Sequence, residues 1–142
     1  MEFRFIQTNT PDYEQMVQLR MHVLLDPIGI PRHYINAGKE ADDLLVAAFE
    51  EGQLVGCCIL MKLDESSVQL RQMAVANNIQ KKGIGTALIS FAEKVAKDHS
   101  YKRIKLHARN GVIGFYKKNG YIPFDEPFEE IGIPHQKMEK YL

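Results

Sequence analysis

Cysteine, net charge and long apolar stretches are scarce in this chain, and each shortage removes a class of function. Its only cysteines, Cys57 and Cys58, are adjacent. Neighbouring residues of an extended strand point to opposite faces, so the two thiols are badly placed for a structural disulfide or a metal clip and read as ordinary strand residues. Eighteen Lys and Arg against eighteen Asp and Glu leave a formal net charge of zero. The broad field that draws a protein onto nucleic acid or an anionic membrane is therefore missing, although a local basic loop can still hold a phosphate. No apolar run approaches the ~18 residues of a membrane span, and the polar opening MEFRFIQTNT lacks the core of a signal peptide. The expectation is a cytoplasmic protein with no metal and with neither nucleic acid nor membrane as partner. Repeats, linkers and low-complexity segments are also absent. With 142 residues, 45% of them hydrophobic, the chain can bury one core, and a single domain over residues 1–142 is expected.

The most informative stretch present runs from Val68 to Ile89. It begins as a strand, with Val68, Leu70, Gln72 and Ala74 on one face and Gln69, Arg71, Met73 and Val75 on the other. A polar loop at residues 76–78 follows. Apolar residues then recur at Ile84, Leu88, Phe91 and Val95, the spacing of one face of an amphipathic helix. Between strand and helix lies Gln80-Lys81-Lys82-Gly83-Ile84-Gly85-Thr86. Its glycines let the backbone pass close to a bulky ligand, and the first N–H groups of the helix have no carbonyl four residues back. Those amides, the positive end of the helix dipole and two lysines make a phosphate or pyrophosphate site.

Around this centre the spacing predicts a strand over 2–6, then a helix from Pro11 to about Leu24 capped by Thr10, burying Tyr13, Met16, Val17, Val23 and Leu24 and stopped by Pro27. Residues 26–43, with Pro27, Gly29, Pro31 and Gly38, read as a long loop or a broken second helix of the kind that serves as a binding element or lid. Three strands, 44–49, 54–63 and 67–75, form an antiparallel meander through turns at Glu51-Gly52 and Asp64-Glu65-Ser66. The helix from Gly83 or Ile84 to about His99 then crosses to a strand over 103–108 that lies parallel to 68–75. A short helix over 111–118 ends at Asn119-Gly120, a strand over 121–124 follows, and an acidic loop over 125–130 leads to a last strand near 135–141.

Several ordered segments carry a family resemblance. Gln80-Lys81-Lys82-Gly83-Ile84-Gly85 resembles the acyl-CoA-binding signature of the GNAT acyltransferases: Gln or Arg, two residues, Gly, one residue, then Gly or Ala. The run from Leu106 to Arg109, followed by Gly114-Phe115-Tyr116-Lys117-Lys118-Asn119-Gly120-Tyr121, is similar to the second signature of that family. The tail 128–138 and the early segment Val23-Leu24-Leu25-Asp26-Pro27-Ile28-Gly29 look like the tail and the substrate-side loop of a bacterial GNAT subgroup. The resemblance implies an α/β fold, with a central mixed sheet of six to seven strands flanked by about four helices. It also implies transfer of an acetyl group from acetyl-CoA to a primary amine of a small molecule or peptide, by direct attack in a ternary complex. In that reading Met73, Ala74 and Val75 line the pantetheine arm, and the Met73 N–H polarises the thioester carbonyl. Such an oxyanion donor is typically worth roughly 3 to 4 kcal/mol of barrier. Gln80, Lys81, Lys82, Gly83, Ile84, Gly85 and Thr86 hold the pyrophosphate, and a homodimer is compatible with the family.

Tyr116 is the expected general acid, because a phenol near pKa ~10 is close to a leaving thiol near ~8.5. For the base, many GNAT members place a glutamate on the central strand, where this chain has Leu70-Arg71-Gln72. Glu129, Glu130 and His135 remain, and His135 is the expected acceptor of the ammonium proton, because an unperturbed imidazole titrates near ~6.5. His107 is expected to be structural. Carboxylates at Asp26, Glu40, Asp42, Asp43, Glu126, Glu129 and Glu130 fall in the loops expected to border the acceptor and favour a cationic amine. The competing class is a non-catalytic acyl-CoA sensor or structural protein of the same fold. A nucleoside triphosphate enzyme is disfavoured because Gly85-Thr86 lacks the lysine of a P-loop.

Overall fold

Alternation and turn chemistry build the first half of the molecule, seen in a computed structural model that describes residues 1–77 and 83–142. Strands β1 (Glu2–Ile6), β2 (Leu44–Glu50), β3 (Gln53–Lys62) and β4 (Ser67–Val75) pair antiparallel in that order. Glu51 and Gly52 both take positive φ, 51° and 79°, the conformation that a two-residue hairpin turn needs. The next turn is closed by the Ser66 N–H donating to Asp64 Oδ1 at 2.8 Å. Helix α1 (Pro11–Arg20), started by Thr10 accepting from the Tyr13 N–H, covers one face. Leu45, Ala47, Phe49, Cys57 and Ile59 pack against Tyr13, Met16 and Val17 there. The other face, with Val46, Ala48, Cys58 and Leu60, lies under α3 (Ile84–Asp98) through Leu88, Ile89, Ala92, Val95 and Ala96. Cys57 and Cys58 therefore sit in two different cores. Burial pushes both thiols up, Cys57 to about 12, so both stay protonated and inert.

The second half begins with the crossover from β4 through α3 to β5 (Arg103–Arg109), which lies parallel to β4 as expected. Beyond it come α4 (Ile113–Lys118), β6 (Ile122–Pro123), β7 (Phe128–Glu130) and β8 (Ile133–Tyr141). Among the described residues the sheet has eight strands in the order β1-β2-β3-β4-β5-β8-β6, with β7 also paired to β8. The mixed α/β architecture is the expected one, and the strand count is one above the expected range. The addition is β7, which lies where an acidic loop was expected.

Three local expectations need correction. The helix of α1 does not run regularly to Leu24: it widens into a π-turn over Met21–Leu25 and tightens into a 3₁₀ turn over Asp26–Ile28. Pro27 sits in the first turn of that last piece, where a missing N–H is harmless, and the chain leaves the helix at Gly29 with φ 75°. Leu25 is fully buried, while Val23 and Leu24 are only partly so. The stretch after it is a broken helix, with a 3₁₀ turn over Arg32–Tyr34 and a short α2 (Ala37–Glu40). Phe91, expected on the buried stripe of α3, lies at its margin and stacks on Phe3 of the edge strand, ring centres 5.3 Å apart.

Candidate active site

The site is made by an interruption of sheet pairing. Parallel β4 and β5 are in register only from Ser67 opposite Arg103 to Leu70 opposite Leu106. Both strands continue, to Val75 and Arg109, without pairing to each other, so a cleft opens at their carboxyl ends, where ligands enter open α/β sheets. A bulge in β4 marks the parting. Against β3 the register jumps from Ile59 opposite Arg71 to Cys57 opposite Ala74, so Gln72 and Met73 together face Cys58. Gln72 is left-handed, with φ 51°. The bulge overturns the simple alternation expected of this strand. Met73 packs on the face of Val68 and Leu70, and Ala74 on the opposite one.

A buried polar network steadies the bulge. Arg20 donates from Nε to Gln72 Oε1 at 3.2 Å and from Nη1 and Nη2 to the two oxygens of Glu40 at 2.8 and 2.7 Å. Tyr13 donates its hydroxyl to Glu40 Oε1 at 2.8 Å. Burial alone pushes the Glu40 carboxyl up, but the Arg20 guanidinium and the Tyr13 hydroxyl outweigh it and hold the carboxyl below its ordinary range. Burial, then the bond to Glu40, lifts the Tyr13 phenol to about 12. Glu40 is thus an internal partner of Arg20. The sequence offered no sign of this pairing, which joins the end of α1 to the end of the short α2, 20 positions on.

On the α3 face, Tyr116 of α4 is 8% exposed and points its hydroxyl at Met73 Sδ, 3.8 Å away. Its position is fixed by the end of α4. Gly120, with φ 91°, lets the Tyr121 N–H reach back to the Tyr116 carbonyl at 3.0 Å, the left-handed cap expected from sequence. Burial raises the Tyr116 phenol well above its ordinary value, so at neutral pH it is a firm hydrogen-bond donor. The close match to a thiol expected from an unperturbed phenol does not hold. Gly85 explains how α3 meets this corner: a Cβ there would stand 3.1 Å from Phe115 Cζ and 3.5 Å from Met73 Cε. Gly83 has open space around it but needs its φ of 75° as the cap of α3, which no side chain caps. Ile84 is buried against Val75 beside Val55 and Ala76, and Thr86 is exposed. Gln80, Lys81 and Lys82 lie outside the described residues.

On the opposite face, beyond the parting of β4 and β5, His135 of β8 stands across from Arg109 of β5. It is buried, and its Nδ1 lies 2.8 Å from the Ile133 carbonyl. A carbonyl only accepts, so Nδ1 carries the proton and Nε2 keeps the lone pair in the neutral ring. That nitrogen is 3.7 Å from Glu130 Oε2, while Glu130 Oε1 is 2.9 Å from His107 Nδ1. Phe128 packs beside both rings, at 5.1 and 5.8 Å between centres. The short β7 brings Phe128 and Glu130 here. Among the described residues no group of three His, Cys, Asp or Glu side chains could hold a metal, and no helix is long and apolar enough to cross a membrane.

Residues 14–142 match the family model described as "Acetyltransferase (GNAT) domain". The chain belongs to the GNAT acetyltransferase family. Uncharacterized protein YyaT of Bacillus subtilis strain 168 is 30% identical over 143 residues, covering 95% of this chain and 93% of that protein. Among solved structures, Escherichia coli ElaA superposes with a TM-score of 0.82 at 22% identity, covering 98% of each chain. A GNAT family acetyltransferase from Elizabethkingia anophelis, solved with acetyl-CoA bound, superposes at 0.75 with 24% identity, covering 99% of this chain and 97% of that one. These likenesses establish a GNAT fold for the chain.

Proposed function

We propose that this protein transfers an acetyl group from acetyl-CoA to a primary amine of a small molecule or peptide, by direct attack in a ternary complex. The observation that carries the reading is the parting of β4 and β5, with the Tyr116 hydroxyl on Met73 of β4 at one face and, at the other, His135 one strand further across, opposite Arg109 of β5. Acetyl-CoA supplies the acetyl group as an activated thioester. The chain's own groups fit it. From Arg71 onward β4 has no β5 neighbour, so Met73 and Ala74 offer strand backbone to the pantetheine arm, with Val75 closing the same run, and the Met73 N–H donates to the thioester oxygen. Gly83, Ile84, Gly85 and Thr86 present the first amides of α3 to the pyrophosphate, with Gln80, Lys81 and Lys82 adding a polar side chain and two charges.

His135 Nε2 takes the proton from the attacking amine. Its other nitrogen is already committed to Ile133, which fixes the ring and leaves the correct lone pair in place. Tyr116 donates to the departing sulfur. Its present acceptor, a thioether, is weak, so exchanging it for a thiolate costs little. Because burial raises the phenol, stabilisation of the thiolate by this hydrogen bond precedes full proton transfer.

Release of free thiol from acetyl-CoA with a panel of amines tests the reading. Tyr116→Phe should lower kcat about 100-fold and leave acetyl-CoA affinity unchanged. Tight CoA binding without turnover on any amine would instead support a sensor. No CoA affinity at all would sink both.

A further inference from the structure

Four of the six arginines of this chain hold carboxylates among the described residues. Arg4, Arg20, Arg32 and Arg103 each hold a carboxylate at 2.7 or 2.8 Å, and Arg71 reaches Met61 Sδ at 3.9 Å. Arg109 has no ion pair and no hydrogen bond among the described residues. Yet it is only partly exposed, and desolvation lowers its pKa despite the opposing pull of Glu130 and the Tyr34 phenol. Glu130 does not satisfy it: its Oε1 is bonded to His107, and neither of its oxygens comes within 4 Å of the Arg109 guanidinium. A guanidinium that has lost water and gained no partner carries a standing penalty, which an oxyanion ligand relieves.

Its place in the fold says which ligand. Arg109 is the last residue of β5, at the end that has parted from β4, and its register partner across the sheet is His135. Side chains of directly opposed residues start about 5 Å apart on the same face. Tyr34, of the broken helix between α1 and β2, lies within electrostatic range of the same guanidinium, so the substrate-side segment converges on it. We infer that the acceptor is a small amine that also carries an oxyanion, a carboxylate or a phosphate, with Arg109 holding the anion by its planar fork while the amine faces His135 Nε2. This rests on the acetyl-transfer reading above. It narrows the expectation of a simple cationic amine, whose supporting carboxylate at Glu40 is spent on Arg20. Guanidinium is the suited group, because its planar fork meets two oxygens of a carboxylate or a phosphate through two parallel N–H bonds.

The test compares amines that differ only in the anion. Glycine and β-alanine are set against their amides, and aminoethylphosphonate against ethylamine, with wild type, Arg109→Gln and Arg109→Lys. The inference expects a lower KM for the anionic member of each pair. Arg109→Gln should raise that KM about 10- to 100-fold, with KM for acetyl-CoA and rates on the amides unchanged, and Arg109→Lys should recover part of the loss. The carboxylate and phosphonate arms identify which oxyanion the site prefers. Equal KM values within every pair overturn the inference, as does a rise in acetyl-CoA KM in place of acceptor KM, which would make Arg109 a ligand of the CoA phosphates. Calorimetric titration of glycine, β-alanine, aminoethylphosphonate and their uncharged counterparts into the CoA-loaded protein reads the same contrast without turnover. Arg109-dependent binding of an anionic amine with no thiol release would uphold the anion site and defeat acetyl transfer. Binding that ignores both the anion and Arg109 would defeat the inference.

Discussion

The two halves of the sheet are covered differently, and the difference separates stability from chemistry. From β2 to β4 both faces are packed, α1 on one and α3 on the other, and β2 is buried over the whole run from Leu45 to Phe49. In β5 the burial alternates: Ile104, Leu106 and Ala108 face α3 and α4, while Arg103, Lys105, His107 and Arg109 face away. Among the described residues the short β7 lies over part of that second face, with His135 buried and His107 and Arg109 half-buried, and its residues are charged, aromatic or titratable. A face covered this lightly keeps polar groups together over a rigid backbone. Met73, at the boundary, is where the two halves separate.

If the first half is the stabilising one, the buried pair beneath the bulge should give the largest effect. Glu40→Ala leaves the Arg20 guanidinium, 1% exposed, without its carboxylate, and breaking a buried pair from one side costs about 3 to 5 kcal/mol. Urea unfolding measures it, and a loss under about 1 kcal/mol would show that the network is not structural. The pH profile follows from the same group. The Glu40 carboxyl is depressed in the folded protein, so its contribution is full above the ordinary carboxylate range and disappears as pH falls through the lowered value. Glu40→Gln should flatten that acid limb of the stability curve.

Next in size comes a direct contrast of the halves. Leu88 of α3 is wholly buried in the core that α3 forms on β2, β3 and β4, and Leu88→Ala should cost about 2 to 5 kcal/mol. Phe128 is only partly buried and packs on His107 and His135, so Phe128→Ala should cost less than about 2 kcal/mol. Turnover should show the reverse order: normal in folded Leu88→Ala, reduced in Phe128→Ala. Equal effects on both readouts would erase the distinction between the halves.

The sequence made the well-covered half legible and the chemical half only in part. Strands over 44–75 and the parallel crossover follow from local signals: period-two alternation, Glu51-Gly52, the Asx turn at Asp64, and the period of α3. What escaped was written in backbone states that its residues do not advertise. Gln72 is left-handed inside a strand whose alternation is unbroken in sequence, so alternation put Met73 and Ala74 on the wrong faces. The hairpin that makes β7 turns at Ile131-Gly132 with φ 48° and 73°, and a β-branched residue is a rare occupant of that region. Without β7, Glu130 could not be set between His107 and His135. Arg109 stood inside a quoted motif, but its lack of a partner is a three-dimensional fact.

The smallest effect concerns the cap where the well-covered half hands over to the cleft. Gly83 adopts φ 75° with nothing within 4 Å of an added Cβ, so Gly83→Ala pays only the left-handed backbone penalty, about 1 to 2 kcal/mol. Gly85→Ala keeps a helical backbone but drives a methyl to 3.1 Å from the Phe115 ring, next to Tyr116. The two variants therefore load different elements. Gly83→Ala should act through the first amides of α3 and raise the KM for acetyl-CoA. Gly85→Ala should shift the Phe115 and Tyr116 rings and lower kcat. Thermal unfolding alone does not tell them apart, because both penalties are small, but the kinetic split does. A rise in acetyl-CoA KM in both, with kcat unchanged, would mean that the start of α3 and the Tyr116 corner respond as one unit, and the handover would then lie beyond α4.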